Sequence, residues 1–174
     1  MVKNHQWSWK VNMKNSRVAF LGLFTAFAMI LSFVESQIPT FVAIPGIKLG
    51  LPNIAIIIIL YKFGYKEAFI VSLLRVLLTS LLFTTVLSML YSIAGAVLSF
   101  SVMLLLKKSF SLVTVSVVGG VCHNIGQIIV AWLVTETSQL LFYLPVLIIS
   151  GVIAGVVIGL VSALTYKKIE AIQF

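Results

Sequence analysis

Apolar residues run in long blocks along this chain, broken at short intervals by a few polar or basic residues. A helix that crosses the roughly 30 Å hydrocarbon core of a bilayer needs about 20 apolar residues. The blocks at 17–34, 66–83, 86–106, 112–134 and 140–166 are close to that length or beyond it. Another block, 41–61, is interrupted by Pro45, Gly46, Gly50 and Pro52. A continuous helix is therefore expected only over 52–61, with a broken approach over 41–51, and 35–50 reads as a structured loop that dips back towards the bilayer. The pattern predicts an all-α integral membrane protein, a bundle of about six transmembrane helices. Its connections are so short that successive helices are antiparallel neighbours. Residues 1–16 are polar and basic, with Trp7 and Trp9 where an interfacial aromatic belt would sit. They read as an amphipathic or loosely ordered lead-in, and 169–174 as a short tail.

Composition sharpens this picture. Of 174 residues, 61% are hydrophobic and 9% charged, against roughly 25% charged in soluble domains. The expected solvent is lipid, and the six spans leave no room for a second domain. Ala26-Phe27-Ala28 loosely imitates a signal-peptidase site, but the apolar stretch continues past it, so cleavage is not expected. Cys122 is the single cysteine and excludes an intramolecular disulfide; it reads as a small buried side chain. The 12 basic residues settle orientation: all but Lys48 and Arg75 fall before span one, between spans two and three or four and five, or after span six. By the positive-inside rule both termini are expected in the cytoplasm. The net charge of +8 is then a consequence of topology and calls for no nucleic-acid partner.

Arg75, near the centre of span three, costs roughly 2.5–3.5 kcal/mol at that depth on insertion scales, so something must compensate it. Ser72 and Thr79 share its helical face and mark that face as interior. Span five carries His123, Asn124 and Gln127 at similar depth. Glu35 lies near the outer end of span one, and no acidic residue is expected level with Arg75. An unpaired guanidinium facing an outward-open cavity favours an anionic ligand held through carboxylate or phosphate, and Lys48 in the broken loop adds to that field. The stripe Ser88, Tyr91, Ser92, Gly95 and Ser99 on span four, and Gly151, Gly155 and Gly159 on span six, read first as packing devices.

Several stretches resemble one membrane-protein family. They are Glu35-Ser-Gln-Ile-Pro39, Pro45-Gly-Ile-Lys-Leu-Gly-Leu-Pro-Asn53, Leu74-Arg75-Val-Leu-Leu, Tyr91-Ser-Ile-Ala-Gly95, Cys122-His-Asn-Ile-Gly-Gln127 and Tyr143-Leu-Pro-Val-Leu147. In order and spacing they resemble the Gx transporter family, also labelled heptaprenyl diphosphate synthase component I. Pro52 departs from that pattern, where a small residue such as alanine is expected. The family is similar in turn to the substrate-binding S components of energy-coupling-factor (ECF) importers. That likeness implies six helices, cytoplasmic termini and a ligand pocket built from Glu35, Lys48, Asn53, Arg75, His123, Asn124 and Gln127, with Tyr91 beside it. It also implies docking on a transmembrane coupling subunit, with two ATPase subunits, through small residues on helix one; the nearest equivalents are Ala19, Gly22 and Ala26.

The resemblance thus implies a binding subunit in a bacterial cell membrane for a small anionic vitamin, quinone or isoprenoid precursor. No Gly-x-x-x-x-Gly-Lys-Ser/Thr phosphate loop occurs, so ATP hydrolysis belongs to other chains. The synthase label conflicts with the residues: Glu35, Glu67, Glu136 and Glu170 are the whole acidic inventory, and there is no Asp. Prenyl transfer needs aspartate-rich magnesium sites, so no enzyme activity, metal or cofactor is expected. The alternative is an autonomous secondary transporter that couples its cargo to protons through Arg75 and His123. An intramembrane enzyme using His123 with Cys122 or Ser92 has no legible nucleophile-base-orienter set. A purely structural subunit would require a partner chain to neutralise Arg75.

Overall fold

The computed structural model describes residues 3–37, 50–83 and 85–171, with side chains from Asn15 onward. The described residues are mostly helical, and there is no strand among them. The helices are α1 (Lys3–Gln37), α2 (Asn53–Lys62), α3 (Tyr65–Phe83), α4 (Val86–Leu106), α5 (Leu112–Thr135) and α6 (Leu144–Ile169), with a 3₁₀ turn at Ser138–Tyr143 before α6. Four segments are long and apolar enough to cross a membrane: Asn15–Gln37, Val86–Leu106, Leu112–Thr135 and Ser138–Ile169. The chain is thus a multi-pass membrane protein by its helices. Outside those four, α3 carries Lys66, Glu67 and Arg75, and α2 is only 10 residues long.

Two boundaries differ from the sequence reading. The basic lead-in is not a separate segment, because α1 runs unbroken for 35 residues from Lys3. Neither glycine nor proline occurs between Lys3 and Gly22, so nothing in that stretch breaks the helix. The stretch read as the start of span six opens instead as the 3₁₀ turn, and the α-helix follows with Pro145 in its first turn, where a missing N–H costs nothing.

Beside an apolar core, many polar side chains are buried and many large apolar ones exposed. Ser72, Arg75, Thr79, Ser92, Ser99, Ser116, His123, Asn124 and Gln127 are buried, while Leu81, Leu105, Ile149, Ile153 and Leu164 stand exposed. Lipid does not reward hiding apolar side chains, so close packing and polar contacts must hold such helices together. Glycines supply the close packing. A Cβ on Gly155 would stand 2.5 Å from the Val117 Cα, and one on Gly126 would stand 2.9 Å from the Gly95 Cα. The ridge on α6 and the small stripe on α4 therefore seat α5 between them, the packing role read for them from sequence.

At the centre lies α2, apolar on every side, as a fully enclosed helix must be. Ala55 through Leu60 are all buried. It packs on α1, α3 and α6, and its isoleucines join Val71, Phe100, Met103, Val115 and Ile158 in one core. Ten residues rise about 15 Å, half of a bilayer core, so α2 fills one half of the bundle only. Its C-terminal half-space is the basic end. There Lys62 Nζ donates to the carbonyls of Ile169 (3.0 Å) and Glu170 (2.6 Å), and Lys107 Nζ to that of Leu60 (3.2 Å). Arg17 pairs with Glu67 at 2.6 Å and also donates to the Phe63 carbonyl.

Candidate functional site

The site is organised by the place where α2 begins. Gly50 takes φ +77, open to glycine without strain, and Pro52 presets the helical φ of −60 that follows. The turn is closed by Asn53 N–H to Gly50 O (2.8 Å) and Ile54 N–H to Leu51 O (3.1 Å). Glu35 near the end of α1 accepts from the Gly50 N–H, tying α1 to the start of α2.

A cavity of about 20 Å³ opens beside this turn, between α2, α4, α5 and α6. Asn53, Ser116, His123 and Asn124 give it polar lining, and Gly119, Gly120, Gly151 and Gly155 give it backbone walls. That volume holds about one water, far below the roughly 300 Å³ at which small-molecule pockets begin. A nutrient-sized ligand therefore requires the helices to part. Asn124 is already engaged: its Nδ2 donates to the Leu147 carbonyl at 2.8 Å and approaches Ser150 Oγ at 3.4 Å. It braces the first turns of α6 as well as facing the cavity.

Arg75 does not line that cavity. It sits on α3, 8% exposed, on the inward face shared with Ser72 and Thr79, as the spacing implies. Thr79 Oγ1 donates to the Arg75 carbonyl at 2.7 Å. The guanidinium has no hydrogen-bond partner among the described residues, and its Nε is wholly enclosed. Glu35 does not touch it, yet its charge acts on it.

Helix registers fix the height of these groups. α2 and α3 run antiparallel across the Phe63–Gly64 joint, so Arg75 falls level with Pro52, where the central helix stops. The Phe69 and Phe100 rings meet at 5.4 Å, which sets Arg75 level with Ala94 on α4. Gly126 on α5 backs onto Ala94 and Gly95, which brings Gln127 to the same height. Gln127 is 5% exposed, its Oε1 enclosed and without a partner. Arg75 is therefore level with Gln127, and His123 lies about one turn nearer the basic end.

A family model described as heptaprenyl diphosphate synthase component I matches residues 24–165. The chain belongs to that family. No curated protein and no solved structure matches it.

Within this family member the residues singled out from sequence divide into groups. Asn53, His123 and Asn124 meet at the cavity, while Arg75 and Gln127 lie at the level just past the start of α2. Tyr91 is part-buried on α4, one turn nearer that helix's start than Ala94, and Glu35 is part-buried at the mouth. Lys48 falls outside the described residues. Ala19, Gly22 and Ala26 are exposed on α1, and a Cβ on Gly22 would meet nothing within 4 Å. Sequence reasoning missed Ser116, 3% exposed and on the cavity wall. Its signal was its place seven residues before His123, which is the same helical face.

Proposed function

We propose that this chain is the substrate-binding membrane subunit, the S component, of an ECF-type importer. In this reading all six helices belong to the membrane domain, both termini are cytoplasmic, and the membrane is a bacterial plasma membrane. The cargo is a small anionic vitamin, quinone or isoprenoid precursor that enters from the side opposite the basic end. The chain performs no chemistry itself; a coupling subunit and two ATPases supply the energy.

The observation that carries the reading is Arg75, a buried guanidinium without a hydrogen-bond partner among the described residues, level with the end of the central helix. An arginine without a hydrogen-bonded counter-ion in an apolar bundle is expensive, and an anion bound there would repay the cost. The lone α1 face supports the rest. Ala19, Gly22 and Ala26 form an exposed small-residue surface, the kind on which another membrane helix packs closely.

Vesicles test the subunit assignment. ATP-dependent uptake of the anion found bound to the purified protein is expected only when the coupling subunit and ATPases are present. Uptake by this chain alone, driven by a proton gradient, would replace the reading with that of a secondary transporter.

A further inference from the structure

Arg75 is not alone at its level. Gln127 presents the opposite need: an enclosed carbonyl oxygen that lacks a donor, where Arg75 Nε is an enclosed donor that lacks an acceptor. Both residues are more than nine-tenths buried, and both stand level with Ala94 and Gly95 on α4. Both come from helices packed on α4, Arg75 from α3 and Gln127 from α5. Gly95 lets α4 and α5 approach closely at this height; a Cβ there would sit 2.8 Å from Gln127 Cγ. Among the described residues no helix continues α2 past this height.

Leaving a buried donor or acceptor unpaired costs about 1–3 kcal/mol each, more for a charged group. The two enclosed hydroxyls elsewhere, Tyr61 and Ser162, differ in kind. They lie on α2 and α6 towards the basic end, Tyr61 against the Tyr166 ring and near Lys107, and neither carries a charge. Arg75 and Gln127 form a complementary set, one cation and one neutral acceptor at a single height.

We infer that one ligand answers both residues: its anionic group pairs with Arg75, and a neutral O–H or N–H on the same molecule donates to the Gln127 carbonyl. This deepens the binding-subunit reading and rests on it. It narrows the cargo to hydroxy- or amino-substituted carboxylates or phosphates, and it excludes a prenyl diphosphate, whose hydrocarbon tail has no donor. Sites built around a hydrogen bond reject analogues that lack it, because the protein group is then left unpaired.

The test compares wild type, Arg75→Gln, Gln127→Leu and Gln127→Glu, purified in detergent from the same cells. Anions released on denaturation are identified and counted per protein by mass spectrometry, and thermal unfolding is recorded for each. The expected anion carries a neutral O–H or N–H. Gln127→Leu should hold about fivefold less of it, the equivalent of one neutral hydrogen bond. Arg75→Gln should hold about thirtyfold less, as befits a charge-assisted contact. Gln127→Glu should fold and hold none, because its carboxylate would repel the anion. Full retention by Gln127→Leu or Gln127→Glu, or a released anion without a neutral donor, overturns the inference and leaves the binding reading standing. Retention by Arg75→Gln, or a wild type that releases no anion, overturns both.

Discussion

The cations of this protein live in two different worlds. At the basic end three cations have oxygens to rest on: Lys62 on the last carbonyls of α6, Lys107 on that of Leu60, Arg17 on Glu67 and Phe63. Those carbonyls are the ones a helix terminus leaves unsatisfied, and a cation there also meets the negative end of the helix dipole. Fifteen or so ångströms along α2, the enclosed Arg75 Nε has no such oxygen among the described residues. The same kind of charge thus closes the fold in one region and leaves a need open in the other. A cation that completes the backbone is explained by the fold, and one that does not is explained by what the fold is for.

That contrast can be broken or sharpened by substitution. Gly155→Val acts on the scaffold both regions share. The new side chain must displace the Val117 backbone, so unfolding in detergent should show a loss of about 3 kcal/mol, and ligand and end contacts should fail together. Arg75→Leu separates the regions. It should abolish bound anion, yet the ligand-free protein should gain about 1–2 kcal/mol, because an uncompensated buried charge is gone; a loss of stability instead would make Arg75 a structural residue. Lys62→Ala should cost about 1 kcal/mol, the scale of a hydrogen bond to a charged donor that water partly replaces, with anion content unchanged. Arg17→Ala is the mildest. Its pair is 44% and 24% exposed, so about 0.5 kcal/mol or less is expected, and the difference should fade as salt is raised.

The helices were legible because their signals are redundant. Thr85 and Ser111 cap α4 and α5 by accepting from Ser88 and Thr114, just where the apolar blocks start. Pro52 and Gly50 mark the start of α2 for reasons of backbone geometry alone. The long reach of α1 was less visible, because a polar amphipathic stretch and a helical one share a composition. Within the site, the inward face of Arg75 followed from Ser72 and Thr79. Its height relative to His123 did not, since counting from helix starts ignores how α4 is staggered between α3 and α5. Sequence spacing orders residues along one helix, but only contacts such as Phe69 with Phe100 and Gly126 with Gly95 set one helix against another.

The enclosure of α2 has a bearing on how the chain is made. A ten-residue helix buried from Ala55 to Leu60 on every side is too short to settle across lipid by itself, and one of the walls around it is α6, made after α1 to α5. During synthesis α2 must wait beside α1 and α3, its other partners, with an incomplete seat. The seat of α2 is therefore complete only once α6 has been made, and a chain stopped before α6 leaves its central helix unhoused, a ready substrate for membrane proteases.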